Sequence, residues 1–169
     1  DFFSTRFALE FAQARHLPAH AVQHHHAHVA AIAAEHGVDA PLLGLALDGI
    51  GLGDDGAAWG GELLLVDGAR FERIGHLASI ALPGGDAAAR EPWRMAAAAL
   101  QRIGRGAQIT ARFGHRAAAA AVAQMLARDL RCPPTTSMGR WFDAAAGLLG
   151  VRETSAYEGQ APMLLEALA

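Results

Sequence analysis

The spacing of apolar and polar residues divides the chain into a helical start, a strand-rich middle and a helical remainder. In the first residues, apolar positions recur at the three- and four-residue intervals of one helical face. Pro18 then breaks this pattern, and an Ala-rich stretch follows that ends at Gly37. The pattern therefore predicts one helix over residues 2–15 and a second from His24 to His36.

Short apolar runs separated by turn residues replace the helical spacing in the middle of the chain. They predict three consecutive strands near 42–48, 58–66 and 69–80, with Asp67-Gly68 as a hairpin turn, because both turn positions need positive φ. The remainder is helical in character, with predicted helices over 87–103 (interrupted near Pro92), 115–131, 138–149 and 159–169.

This order predicts a helix–helix–β-hairpin sublobe over residues 1–86 and a mostly helical part over 87–169. Helices and strands are segregated along the chain, so it is either α+β in order or part of an α/β fold whose other elements lie elsewhere. Because the chain opens and ends within helical patterns, we expect a piece of a larger domain.

Composition excludes several classes of protein. The 169 residues carry a formal net charge of −3 with no run of like charge, which argues against a nucleic-acid partner. No stretch is apolar and long enough to span a membrane. The single cysteine, Cys132, rules out an internal disulfide framework and fits a reducing, cytoplasmic location.

Histidine provides the strongest candidate chemistry, because seven of the nine histidines lie in the range from His16 to His36. His24 and His28 are four residues apart on the predicted helix and therefore share a face, where both imidazoles can reach one metal ion. His25 and His26 point in other directions and should not join that site. A solvated, His-rich helix start is the alternative interpretation.

The segment from Asp48 to Glu62 is rich in glycine and lies between two predicted strands. Its glycines allow a tight turn whose amides can approach phosphate, and Asp48 at the strand end suits a hairpin that holds a metal or a phosphate. The segment is not a P-loop, because it has no Lys and a strand follows it. A plain glycine-rich β-turn is the alternative.

Three further segments have weaker signals. Arg90 and Arg94 could bind phosphate or carboxylate, although we expect surface ion pairs with Glu91. The stretches 136–143 and 157–160 place small residues at apparent helix starts and support only a weak nucleotide hypothesis. The isolated residues His76, His115 and Cys132 are expected to be structural.

Five segments in this order resemble the HypF family of carbamoyltransferases of nickel–iron hydrogenase maturation: VQHHHAHVAA, LALDGIGLGDDGAAWGGE, LPGGDAAAREPWRM, TSMGRWFDAAAGLLG and AYEGQAPMLLEALA. The resemblance covers the whole chain. It implies the middle part of a C-terminal carbamoyl-transfer domain with an incomplete actin/Hsp70-like nucleotide-binding fold. That domain is similar to the tRNA threonylcarbamoyl-transferase family.

The resemblance also implies roles for individual residues. His24, His28 and Asp48 would be ligands of a divalent metal, iron or zinc, and Asp48 would be catalytic. The family also implies phosphate or nucleotide contacts at Gly49, Gly51, Gly53, Gly56, Gly60, Gly61, Asp143, Gly159 and Gln160.

By resemblance, such enzymes use carbamoyl phosphate and ATP with magnesium, through carbamoyl adenylate. They carbamoylate the C-terminal cysteine of the partner HypE for cyanide ligand synthesis. The upstream HypF domains are missing from this chain, so we expect the piece alone to be inactive. Two alternatives remain: a non-catalytic sublobe that serves as a docking surface, and a relative of the tRNA-modifying enzymes.

Overall fold

Two helices precede the sheet, as the sequence predicts. The computed structural model describes residues 3–168, so positions 2 and 169 of the predicted helices lie outside the described residues. Helix α1 spans Phe3–Ala14 and α2 spans His24–Glu35. The side-chain oxygen of Gln23 caps α2 by accepting a hydrogen bond from the His26 amide at 2.8 Å. This cap fixes where the histidine run enters the helix.

The three predicted strands form an antiparallel meander of β1 (Leu42–Leu52), β2 (Ala58–Asp67) and β3 (Arg70–His76). Gly68 adopts a positive φ of 57° in the turn between β2 and β3, as the Asp-Gly signal requires. The third strand ends at His76, so its predicted extension to residue 80 is wrong.

Two short strands that the sequence pattern did not predict complete a five-stranded sheet. Strands β4 (Ile80–Ala81) and β5 (Pro134–Thr135) pair with each other, giving the order β1-β2-β5-β4, with β3 also paired to β2. The single parallel step joins Ala58 to Thr135. It brings the residues that follow β5 next to the glycine-rich hairpin, which is formed by residues 48–62 of β1, β2 and the turn between them.

Six helices make up most of the remainder: α3 (Asp86–Arg90), α4 (Pro92–Arg102), α5 (Gln108–Phe113), α6 (Ala119–Ala127), α7 (Met138–Leu149) and α8 (Gln160–Glu166). The predicted break near Pro92 is confirmed. The predicted helix over 115–131 is too long, because Asp129 and Arg131 adopt positive φ and end the helical backbone. Helix α5 was missed, since it is a short segment between Gly106 and Gly114.

The main core surrounds α4, where four consecutive alanines, Ala96 to Ala99, are buried against the neighbouring helices. A smaller cluster under the sheet joins Val29 of α2 to Leu64 and Val66 of β2. The opposite face of β1 is open, with Leu43 and Leu45 about two-thirds exposed at 64% and 65%. Among the helices within residues 3–168, none has the length and apolar character needed to cross a bilayer.

Candidate metal and nucleotide site

The predicted metal ligands lie together where α2 meets the irregular part of β1 between Leu47 and Gly51, because β1 continues to Leu52 and does not end at Asp48 as the sequence predicts. His24 Nε2 is 2.7 Å from Asp48 Oδ2, His28 Nε2 is 3.2 Å from His24 Nε2, and His28 Nε2 is 3.8 Å from the same Asp48 oxygen. One donor atom from each residue lies within 4.8 Å of the other two. Two imidazoles and a carboxylate are a donor set that suits a transition metal or zinc.

Asp48 is held in the ionised form that metal binding needs. Burial raises its pKa, but hydrogen bonds from His24 and from the Gly49 amide outweigh burial and hold the pKa below its usual range. The Gly49 amide donates to Oδ1 at 2.6 Å, which leaves Oδ2 facing the histidines. The carboxylate is therefore oriented by the backbone of the residue that follows it.

The two middle histidines of the run lie outside this group, as their helical directions predict. His25 is fully buried, its ring 5.9 Å from that of Trp59, and burial lowers its pKa. His26 is buried on Phe71 at 5.0 Å, with Nε2 3.0 Å from the Gly68 carbonyl oxygen. Both histidines attach α2 to the sheet, a role that the sequence alone did not reveal.

Several glycines of the hairpin allow close packing against neighbouring side chains and backbone, in addition to any role in presenting backbone amides. A Cβ at Gly51 would lie 2.7 Å from His25 Cε1, and a Cβ at Gly60 would lie 2.8 Å from the Asp48 carbonyl oxygen. Gly56 has a positive φ of 76° and open space around it. The hairpin therefore packs directly onto the histidine helix.

Most of the backbone amides predicted to bind phosphate already donate hydrogen bonds to acceptors within the chain. The Gly53 amide bonds to Ala57 and the Gly56 amide to Gly53, both at 2.9 Å. Those of Gly60 and Gly61 donate to the Glu62 carboxylate at 2.8 and 3.0 Å. In this conformation the hairpin offers a surface that a phosphate could approach closely, but few of its backbone amides are free to donate a hydrogen bond to it.

A cavity of about 720 Å³ lies beside the hairpin, and four of the five family-like segments converge on it. The hairpin contributes Gly56 and Ile50, and further lining residues from the other segments include Gly85, Asp86, Arg90, Arg140, Tyr157 and Glu158. Arg90 thus lines a cavity, although the sequence favoured a surface ion pair for its segment. The Arg94–Glu91 pair of that prediction is present.

Buried polar atoms beside this cavity lack partners. Arg140 Nε and the Ser155 hydroxyl are buried and have no hydrogen-bond partner among residues 3–168. Arg140 Nη2 also lies 3.0 Å from Asp143 Oδ2, and both side chains are buried. Unsatisfied buried polar groups beside a cavity are typical of a ligand site.

Asp143 has an unusual electrostatic environment. Burial raises its pKa, Arg140 lowers it and Glu158 raises it, with a net result of about 6. Glu158 also lies close to the residue that follows Asp48, since a Cβ at Gly49 would lie 3.1 Å from Glu158 Oε1. Glu158 therefore lies near both Asp143 and the residue that follows Asp48.

The remaining predicted residues fall into two groups. Gly159 precedes α8 with a positive φ of 79°, and Gln160 Oε1 accepts a hydrogen bond from the Ala156 amide at 2.7 Å, next to the cavity-lining residues. His115 pairs with Glu153 at 2.7 Å, and Cys132 is buried; both lie outside the cavity lining. Arg140 and Glu158, which sequence reasoning missed, lie in the same short segments as Asp143 and Gly159.

Two family models match the chain. The model described as the second subdomain of the carbamoyltransferase Kae1-like domain matches residues 44–169, and that of the HypF Kae1-like domain matches residues 1–35. Carbamoyltransferase HypF2 of Cupriavidus necator is 68% identical over 169 residues, 100% of this chain and 21% of that protein. Carbamoyltransferase HypF of Rhizobium leguminosarum is 47% identical over 168 residues, which are 99% of this chain and 22% of that protein.

Solved structures agree with these matches. Full-length HypF in its phosphate- and nucleotide-bound form superposes with a TM-score of 0.82 at 38% identity, over 94% of this chain and 21% of that chain. HypF of T. kodakarensis superposes with a TM-score of 0.86 at 32% identity, over 99% of this chain and 23% of that chain. The chain therefore belongs to the HypF family of carbamoyltransferases and corresponds to part of their Kae1-like domain.

Proposed function

We propose that this chain forms the metal- and nucleotide-binding part of a HypF carbamoyl-transfer site. The observation that carries the proposal is the convergence of the family-like segments. The His24, His28 and Asp48 group and the cavity lined by Arg140, the partner of Asp143, both lie at the same glycine hairpin. Family membership and the nucleotide-bound relative support the assignment.

His24, His28 and Asp48 would hold a divalent metal ion, iron or zinc, because two imidazoles and one carboxylate suit either ion. When bound, such an ion supplies Lewis-acid chemistry that can polarise a carbamoyl oxygen or hold a leaving phosphate. Asp48 keeps its ligating oxygen towards the histidines because the Gly49 amide holds the other oxygen. The chain itself therefore orients the carboxylate oxygen that would bind the metal.

ATP, with magnesium, would occupy the cavity beside the hairpin. Asp143, with Gly159 and Gln160 next to the cavity lining, would receive the nucleoside, since a buried carboxylate accepts hydrogen bonds from ribose hydroxyls. Arg140 and Arg90 line the same cavity and would face the phosphates together with the surface of the glycine hairpin. We include Gly49, Gly51, Gly53 and Gly56 in that surface. Gly60 and Gly61 are left out of it, because their amides donate to the Glu62 carboxylate.

The substrates and partner follow from the family. Carbamoyl phosphate would be hydrolysed to carbamate and phosphate, and ATP would adenylate the carbamate with release of pyrophosphate. The carbamoyl group would then pass from the adenylate to the C-terminal cysteine thiol of HypE, releasing AMP. The thiocarboxamide then serves cyanide ligand synthesis. A cytoplasmic location fits the unpaired thiol of Cys132. Because the chain spans only 21% of HypF2, these activities belong to the whole polypeptide.

The experiment compares full-length proteins that contain this segment. The His24→Ala/His28→Ala double variant should lose the divalent metal and fail to carbamoylate the HypE cysteine, measured by metal analysis and by the mass of HypE. A His20→Ala/His36→Ala double variant is the matched control, because both histidines are exposed and neither belongs to the group. Unchanged metal content in the first variant would refute the ligand assignment.

A further inference from the structure

Glu62 is a buried charge whose role neither the sequence nor the family resemblance assigns. It lies in β2 and is 0% exposed. A buried carboxylate is strongly unfavourable unless donors surround it. Glu62 must therefore be surrounded by donors.

Donors from three separate parts of the chain surround this carboxylate. Oε1 accepts hydrogen bonds from the amides of Gly60 and Gly61 and from the Thr136 hydroxyl. Oε2 pairs with the Arg73 guanidinium at 2.6 Å. Burial raises the pKa of Glu62, but these donors outweigh it and keep the group ionised.

Arg73 is itself fixed against the hairpin. Its guanidinium lies 3.9 Å from the centre of the Trp59 ring, and Nη1 is 3.7 Å from Asp55 Oδ2. Asp55 in turn accepts a hydrogen bond from Trp59 Nε1 at 2.9 Å. Arg73 therefore ties β3 to β2 and to the turn between β1 and β2.

The contacts continue from Thr136 to the metal ligand. The next residue, Ser137, places its hydroxyl 3.2 Å from the Asp48 carbonyl oxygen and within reach of the Gly49 carbonyl oxygen. The same hydroxyl caps α7 by accepting a hydrogen bond from the Arg140 amide at 3.1 Å. One side chain thus joins the backbone of Asp48 to the start of α7.

We propose that Glu62 is a positioning residue for the metal centre. Its carboxylate holds Thr136, and with it Ser137, against the backbone of Asp48, so that the Asp48 side chain stays directed at His24. This inference rests on the proposed metal site. It differs from the family-implied ligand set because Glu62 contacts neither the metal ligands' side chains nor the cavity.

The test measures Co²⁺ binding by the full-length protein. A titration gives the affinity, and the visible absorption of the bound ion reports its coordination. In Glu62→Gln, an amide NH₂ must face the donors of Arg73 or of the glycines, so the cluster loses an acceptor. We expect cobalt affinity to fall by about tenfold, at the lower end of the usual effect of residues that orient metal ligands. The cobalt absorption spectrum should also change. Glu72→Gln, an exposed glutamate on β3, is the control and should behave as the wild type.

A second variant covers the case in which Glu62→Gln does not fold. Thr136→Val keeps the shape but removes the hydroxyl donor, and it should weaken cobalt binding and alter the spectrum to a smaller extent. Thr110→Val, at an exposed position of α5, is its control. Wild-type affinity and spectrum in folded Glu62→Gln, or in Thr136→Val if only that variant folds, would overturn the positioning role. Failure of the wild type to bind cobalt would instead refute the proposed metal site, and the positioning role with it.

Discussion

His24 Nε2 lies 2.7 Å from Asp48 Oδ2, although 24 residues separate the two along the chain. The contact exists because α2 packs against β1, which carries Asp48 at the irregularity between Leu47 and Gly51. These two atoms are the ones that would bind the proposed metal ion, and in this structure they point at each other. The hydrogen bond between them would give way to metal bonds when the site is filled.

The first prediction concerns the carboxylate of this pair. Asp48→Asn keeps the size of the side chain but removes its charge, so zinc affinity should fall by about tenfold or more, since partners that only orient a ligand are worth about 10- to 100-fold. Equilibrium dialysis of the full-length protein measures the change. Asp54→Asn, an exposed aspartate of the same hairpin, should bind zinc like the wild type. Equal affinities in the two variants would remove Asp48 from the ligand set.

The second prediction concerns the packing of the hairpin on the histidines. In Gly51→Ala the new methyl would overlap the rings of His24 and His25, so the variant should lose metal affinity and about 1–3 kcal/mol of stability. Gly75→Ala is the matched control, because its nearest neighbour would be 3.7 Å away, an ordinary contact. Metal titration and thermal unfolding of both variants test this. A fully tolerated Gly51→Ala would show that the hairpin does not constrain the histidines.

The third prediction separates the structural histidine from the ligands. His26→Ala removes the stacking on Phe71 and the contact with the Gly68 carbonyl oxygen, at a cost of about 1–2 kcal/mol. The unfolding temperature should fall while metal content stays unchanged. Calorimetric unfolding and metal analysis of the full-length protein measure both quantities. Loss of metal from a folded His26→Ala variant would contradict the division of the histidine run.

The helical spacing of His24 and His28 was sufficient to predict their proximity, because residues four apart share a face on any α-helix. The residue pattern made Asp48 a candidate to hold a metal or a phosphate, and the family resemblance made it the third ligand. The structure places it in reach of both histidines. The Glu62 cluster could not be predicted in this way. Glu62 and Thr136 are 74 residues apart, and they meet only because the two-residue strand β5 pairs with β2.

The glycine pattern shows a different limit of sequence reasoning. Glycine is equally required for an exposed amide and for close packing, and the residue type does not distinguish the two. At Gly60 and Gly61 the structure shows amides that bond to Glu62, an acceptor in the same strand. Short elements were also missed, since two residues in β4 or six in α5 carry too little periodicity to identify.

The last prediction uses the pKa of Asp143, which is raised to about 6 by burial and by Glu158, against the opposing effect of Arg140. If the ionised carboxylate accepts the ribose hydroxyls, nucleoside affinity is complete above this pKa and is lost as the pH falls through it. Below about pH 6 the affinity should fall by roughly tenfold per pH unit. Adenosine is the suitable probe, because a terminal phosphate itself titrates near pH 6. Calorimetric titration of the full-length protein between about pH 5 and 8 should show this fall.

Two variants assign this inflection to Asp143. Asp143→Asn should bind adenosine weakly at every pH and show no inflection, because the amide does not titrate in this range. Glu158→Gln removes a negative charge that raises the pKa of Asp143, so the inflection should move to lower pH while affinity at pH 8 changes less than in Asp143→Asn. An inflection that persists in Asp143→Asn would belong to another group. One that does not move in Glu158→Gln would show that these two carboxylates do not interact in the protein.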